Sequence, residues 1–371
     1  MNLTNHGNPI NPINPINPIN PINPINPINP INPINPINFP SWDDLLLTHP
    51  DYSFFHTSAW ARVLYESYGY TPLYFAEIVN GKLETLVPFM EINSFITGKR
   101  GVSLPFTDSC PIISPDEGRF TQLFHQIVEH GKQAKWKYIE FRGGQEFFRN
   151  ELPSLTYYTH DLDLTKGEKD LLASFRNSTK RNIKRAVRER VKVQISHSLD
   201  SVRHFFFLNC KTRKRHGLPP QPFRFFKKLH EHVISKGQGF VCLAQYEGKA
   251  IAGVIFLLFG KKAIYKYGAS DMKYQHLRAN NLVMWEAIKE CINKGRETLN
   301  LGRTEPQNEG LLQFKRGWNP EEKIVKYYRY DLRKQAFIKD TGNPKESYNF
   351  LRRMPLWLLH LTGSILYRHV G

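Results

Sequence analysis

Acidic residues are scarce relative to basic ones: 33 Asp and Glu stand against 51 Lys and Arg in 371 residues, a formal charge of +18. That imbalance points away from a cationic partner and toward an anionic one, such as nucleic acid, a phosphorylated substrate or an anionic membrane. Cysteine is scarce too. Cys110, Cys210, Cys242 and Cys291 lie far apart with no CxxC pair, which excludes both a disulfide framework and a thiolate zinc site. The 14 histidines show no metal-ligand spacing. No apolar run reaches the roughly 18 residues that a membrane-spanning helix needs. No secretory leader is visible, so a reducing cytoplasm is the expected compartment. No Ser/His/Asp or Cys/His set stands out, which argues against nucleophilic catalysis through a covalent intermediate.

What is present divides the chain into pieces. Asn-Pro-Ile repeats from Asn8 to Ile37. Proline at every third residue forbids helix and interrupts a sheet ladder. The period is too short for a solenoid. Residues 1–38 are therefore expected to be a disordered repeat outside the fold. The rest is rich enough in apolar residues for two globular halves, 39–164 and 165–335, with an amphipathic tail at 336–371.

The first half reads as helix (Ser58–Tyr68), a hairpin through Asn80-Gly81 joining strands Thr71–Val79 and Lys82–Ile92, helix (Gly118–Lys135), and strands Tyr138–Arg142 and Leu155–Leu164. Gly143-Gly144 follows a strand but lacks the spacing of a phosphate loop. The second half repeats the plan. Helices Leu199–Arg215 and Phe223–Lys236 precede a hairpin, Phe240–Tyr246 with Ala250–Phe259. Strand Ala263–Gly268, helix Leu277–Lys294 and strand Thr298–Leu301 complete it. The second half opens on a basic helix at 171–188. Leu172, Phe175, Ile183, Ala186 and Val187 form its apolar stripe. Arg176, Lys180, Arg181, Lys184 and Arg185 load the remainder with charge whose mutual repulsion a bound polyanion would relieve. A plain solvated face would read the same way.

One succession of residues carries a family resemblance. It comprises Tyr267-Gly268-Ala269 with Asp271 in the next loop, Leu299-Asn300-Leu301-Gly302-Arg303 before Glu305-Pro306, and Gly310-Leu311 leading to Phe314-Lys315. It resembles the Fem-type aminoacyltransferases that build peptidoglycan cross-bridges, within the GNAT acyltransferase superfamily. The likeness covers about residues 40–335 and extends to the basic helix. It implies an α/β fold with mixed sheets and two tandem GNAT-like domains. It implies transfer of an aminoacyl or other acyl group to an amine of a cell-envelope precursor, with no metal or cofactor. The partners it implies are an acyl donor, either aminoacyl-tRNA or acyl-CoA or acyl carrier protein, and a phosphorylated or lipid-linked acceptor.

The resemblance also assigns residues. Lys315 matches the lysine beside which the tetrahedral oxyanion would develop, with Phe314 before it. Independently of the resemblance, Arg303 and Glu305 sit at a strand's carboxyl end, where the ligands of α/β folds collect, so Arg303 is expected to hold a phosphate or carboxylate and Glu305 to orient an amine. Asp271 and Tyr267 belong to the same succession, and Asp108 lies in the loop Leu104–Asp108 where related enzymes begin their cleft. Each has a structural alternative: an ion pair for Arg303 and Glu305, packing for Tyr267, a turn for Asp108 and Asp271, a surface position for Lys315. The turn Ser270–His276 lacks the glycines with which an acetyl-CoA enzyme grips pyrophosphate. No coiled-coil arm of the kind some cross-bridge enzymes use for tRNA is legible. Two other readings stay open: an acyl-CoA or acyl-carrier enzyme of the same fold acting on envelope polysaccharide or lipid, and a non-catalytic RNA- or membrane-binding protein. Finally, Leu351–Arg368 reads as a short helix with Trp357, Tyr367 and flanking arginines. It suits either the interface of an anionic membrane, on the inner face of the plasma membrane, or the protein's own core.

Overall fold

The computed structural model describes residues 32–339 and 349–370. One sheet organises them, its strands lying side by side as 71–79, 82–94, 98–102, 138–142, 321–331, 155–163, 298–300, 262–270, 249–259, 239–246 and 192–196, with 336–338 pairing the end of 321–331. The elements along the chain are α1 (Trp42–Leu46), α2 (Ser58–Tyr68), β1 (Thr71–Val79), β2 (Lys82–Ser94), β3 (Gly98–Val102), α3 (Glu117–Gln133), β4 (Tyr138–Arg142) and β5 (Leu155–Asp163). After them come α4 (Gly167–Ser174), α5 (Asn177–Arg188), β6 (Lys192–Ser196), α6 (Leu199–Arg215), α7 (Phe223–His232), β7 (Gly239–Tyr246), β8 (Lys249–Phe259) and β9 (Lys262–Ser270). The last are α8 (Ala279–Asn293), β10 (Thr298–Asn300), α9 (Glu309–Arg316), β11 (Glu321–Asp331), β12 (Ala336–Ile338), α10 (Asn349–Arg353) and α11 (Leu356–Val370). Among the described residues no helix is long and apolar enough to cross a membrane.

The repeated plan is visible in the pairing. An antiparallel meander, β1-β2-β3 or β6-β7-β8-β9, ends in each half at a parallel pair, β3 with β4 and β9 with β10. At that point the halves trade strands. β5 follows β4 in the chain yet lies against β10, while β11 follows α9 yet lies between β4 and β5. Central strands bury both faces, so β8 reads as a continuous apolar run. Its Ile255, Leu257 and Phe259 enter one core with α2, α6 and α7, and its Val254, Phe256 and Leu258 enter another with α8. The first of these cores draws residues from both halves, with Trp60 of α2 edge-on to Phe225 of α7 at 6.0 Å.

Several expectations are corrected. The helix read over 171–188 is two helices, broken at Phe175-Arg176, where Phe175 leaves the helical region at ψ 150° and buries its ring against Trp285 and Trp318. Strands β3, β11 and β12 were not legible. The last repeats belong to the fold: Ile34 exchanges backbone hydrogen bonds with Tyr74, and Ile34 and Ile37 pack on the core. Proline permits this because the isolated bridge at Ile34 uses only that residue's own N–H and C=O. The earlier repeats lie outside the described residues.

Candidate active site

Strands β9 and β10 run side by side only where Lys262–Ile264 face Thr298–Asn300. Beyond that they part, because Gly302 turns the chain away in a left-handed conformation, φ +73°. A bulge shapes the other wall of the gap. Ile255 pairs with Tyr267 and Phe256 with Tyr265, so Lys266 is the extra residue. A bulge re-aims one side chain, and here it sends Lys266 into the gap.

There Lys266 Nζ donates to Phe106 O at 2.6 Å and lies 3.0 Å from Asp108 Oδ2, with its side chain 5 % exposed. The loop supplying Asp108 holds Leu104 and Phe106 at positive φ. Lys315, on α9, is buried at 3 % exposure and donates to Gly302 O at 2.7 Å and Arg303 O at 3.0 Å. Arg303 stacks over Tyr157 at 4.4 Å and donates to Tyr327 Oη at 2.6 Å. Tyr327, on the traded strand β11, donates its own hydroxyl hydrogen bond to Asp108 O at 2.9 Å. The result is one carboxylate among three buried cations, Lys266, Arg303 and Lys315.

The electrostatics follow from that count. Burial pushes the Lys315 ammonium down to about 8, with Lys266 and Arg303 adding to the shift and Asp108 opposing it. Lys266 is lowered for the same first reason, burial, against the pull of Asp108. Burial raises the Asp108 carboxyl, but Lys266 and Arg303 more than reverse this and hold it below the usual carboxylate range. Beside the gap, His160 is fully buried; burial and then Lys315 lower its pKa, and its Nε2 lies 3.0 Å from Glu322 Oε2. Such a site favours an arriving negative charge, because an anion would relieve the surplus of positive charge.

The structure thus gathers Lys315, Arg303 and Asp108. Tyr267 stands at its edge, donating to Gln221 Oε1 at 2.7 Å. The other expected residues lie elsewhere. Asp271 caps a short 3₁₀ turn through Lys273 N at 3.1 Å and pairs with Lys211 at 2.7 Å. Glu305 is exposed and its side chain makes no hydrogen bond or ion pair among the described residues. Phe314 packs edge-on to Trp318 at 5.9 Å. Lys266, Tyr327 and Tyr157 were missed; the only sequence signal was a lysine inside an otherwise apolar strand. Gly143-Gly144 forms a packing turn, since a Cβ on Gly144 would sit 2.4 Å from Ile112 Cδ1.

The basic helix is joined to this site. α5 docks where Thr179 Oγ1 donates to Gly317 O at 3.0 Å, two residues after Lys315. Arg176, Arg181 and Lys184 are exposed and have no side-chain partner among the described residues, while Lys180 bonds Ala173 O and Arg185 lies 3.9 Å from Glu189. A concavity of about 880 Å³ runs along β9 and β10 around Lys262, Ile264, Thr298 and Asp163, and none of the gap's three cations lines it. One cluster among the described residues has metal-ligand chemistry: Glu66, Glu231 and His232. Lys228 already neutralises it at 2.6 and 2.9 Å.

Comparisons with known proteins agree with this layout. Residues 173–316 match the family described as acetyltransferase (GNAT) domain. A curated relative, the UDP-N-acetylmuramoylpentapeptide-lysine N(6)-alanyltransferase of Weissella viridescens, is 28% identical over 158 residues, covering 42% of this chain and 46% of that protein. The aligned part is thus about half the length of that relative. Among solved structures, FemX superposes with a TM-score of 0.62 at 13% identity, covering 76% of this chain and 94% of its own. A conserved protein of unknown function from Bacteroides thetaiotaomicron superposes at 0.50, with 12% identity and coverage of 75% and 89%. These likenesses show the fold.

Proposed function

We propose that this chain, which carries a GNAT acetyltransferase domain within a Fem-like tandem fold, is an N-acyltransferase of the Fem type that joins an aminoacyl group to an amine of a cell-envelope precursor. The observation that carries the reading is the buried Lys315, held under-neutralised between Arg303, Lys266 and a single carboxylate.

The acceptor amine attacks the donor's ester carbonyl directly. The new C–N bond forms and the carbonyl oxygen takes the electron pair; that pair then re-forms the carbonyl as the C–O bond breaks, and the leaving oxygen takes the amine's proton and departs as a hydroxyl. Lys315 faces the developing oxyanion, a charge present only along the reaction path, so its cation favours the transition state over the bound ester. Asp108 holds Lys266 by an ion pair, and its charge favours the protonated form of both Lys266 and Lys315. Arg303 offers its guanidinium to a carboxylate or phosphate of a substrate. The relative's printed name supports a nucleotide-linked muramoyl-peptide amine as acceptor.

An RNA-borne aminoacyl ester fits the donor better than coenzyme A. Asp271 already occupies the backbone amide of Lys273 in the turn after β9, the place where a pyrophosphate would need free amides. The unpaired cations of α5 fit an RNA backbone. Replacing Arg181 and Lys184 together by glutamine is expected to weaken tRNA retention and to lower the salt-dependence slope by about 1.4, at roughly 0.7 per lost contact. An unchanged slope, read by filter binding over a salt series, would remove α5 from the RNA path.

The full chain, incubated with a nucleotide-linked muramoyl pentapeptide and charged tRNA or acyl-CoA, tests the reading by mass spectrometry of the acceptor. One aminoacyl residue gained in an RNase-sensitive way supports it. Gain from a thioester alone replaces it with the coenzyme or carrier reading, and RNA retention with no turnover rejects catalysis.

A further inference from the structure

The C-terminal helix α11 has one face in the protein and one outside it. Inward, Leu359 is fully buried, and a Cβ on Gly363 would sit 2.1 Å from Pro220 O. Tyr367 O accepts from Tyr70 Oη at 2.7 Å, and His369 O accepts from Arg100 at 2.7 Å and Thr97 at 2.9 Å. These bonds fix the helix and set its other face. There Trp357, Leu361 and Ile365, spaced four apart, are each half or more exposed. The far end meets a second exposed apolar group. Phe95, 88 % exposed at the tip of the β2–β3 hairpin, lies 4.6 Å from the His369 ring, and Ile96 beside it is also more than half exposed. Arg352, Arg353 and Arg368 flank the stripe, exposed and without a hydrogen bond or ion pair among the described residues.

We infer that the outer face of α11, together with the Phe95-Ile96 hairpin tip, docks on an anionic phospholipid bilayer. The pattern commits the surface to that partner. A protein partner would not require unpaired arginines at both ends of the stripe, and a polyanion in solution would leave Trp357, Leu361, Ile365 and Phe95 in water. A bilayer surface satisfies both, with apolar side chains in the acyl boundary, a tryptophan at headgroup level and arginines on phosphates. The helix is too short to span, and its inner face is already taken, so it lies in the interface plane. The inference goes beyond the transferase reading and does not depend on it.

Cosedimentation of the full chain tests it, with vesicles of phosphatidylcholine alone and of phosphatidylcholine with phosphatidylglycerol, roughly three to one. Three arginines, each contributing roughly fivefold at an anionic surface, predict about one-hundredfold tighter binding to the mixed vesicles. Trp357→Glu and Phe95→Glu, both at exposed positions, are each expected to lower that binding about tenfold or more by placing a charge in the acyl boundary. Equal binding to both vesicle types, or binding that neither variant weakens, overturns the inference. So does a dimer in sedimentation velocity that Trp357→Glu disperses while vesicles are ignored. Turnover on a soluble acceptor, measured in parallel, keeps the transferase reading separate from this outcome.

Discussion

Replacing Lys315 by methionine is expected to cut transfer by about one hundred- to one thousandfold in kcat, the range for losing one preorganised oxyanion donor, while leaving the fold as stable or more so. The second half of that expectation is the unusual one, and it follows from the pKa. A lysine whose ammonium titrates near 8 in the folded protein, against 10.5 for the free side chain, costs roughly 3 kcal/mol to bury charged. In return it satisfies the carbonyls of Gly302 and Arg303, each worth about 1 kcal/mol. Removing it therefore leaves a net gain of about 1 kcal/mol at neutral pH. The pH dependence has a definite sign. The unfolded chain holds this proton more tightly than the folded one, so the burial cost is fully present below about 8 and is relieved as pH rises toward 10.5. Activity runs the other way, falling as pH rises through about 8, because the deprotonated amine no longer stabilises an oxyanion. Thermal melts and pH–rate profiles of the two proteins check both signs. A variant that loses activity only because it unfolds would refute the assignment.

Asp108→Asn is expected to be the most damaging single change in the site. It removes the one carboxylate among Lys266, Arg303 and Lys315 and leaves three cations facing one another in a site with little water. Breaking a buried ion pair from one side costs about 3–5 kcal/mol, and in a protein of this size that amounts to a fall of roughly 5 °C in Tm. Asp108 is also the one cause that raises the Lys315 pKa. Its loss should therefore move the alkaline limb of the rate profile to lower pH. Replacing Lys266 by methionine in the same chain removes one of the stranded charges and should restore part of the lost stability. A melt unchanged in Asp108→Asn would mean that the carboxylate is not the counter-charge the geometry makes it.

Much of the architecture was legible, for local reasons. Asn80-Gly81 sits between two alternating runs and became a hairpin, and the face through Leu282, Val283 and Ile288 became α8. The stretch Phe314-Lys315 could be singled out because it lies in a succession with a known likeness. What stayed hidden was set by distant parts of the chain. β11 begins Glu-Glu-Lys and reads as a charged surface segment, yet Tyr327 and Tyr328 are buried in the middle of the sheet. Lys266 reads as an ordinary member of a strand, and only the register of β8 against β9 reveals the bulge that turns it inward. Asp271, by contrast, sat in the right succession, but a neighbouring lysine and a local cap absorb its charge. Composition gave the surplus of positive charge. It could not say that three of those cations meet within one gap, since they come from residues 266, 303 and 315 and their counter-ion from residue 108.

The traded strands β5 and β11 have a consequence for inheritance. A duplicated domain ordinarily leaves two copies free to diverge, be lost or be exchanged independently. Here each copy carries the strand that completes its sister's sheet, and Tyr327 on one of those strands also joins Arg303 of the second half to the Asp108 loop of the first. Deleting or transplanting either half would open the sheet of the other, so the two halves are expected to persist or fail together.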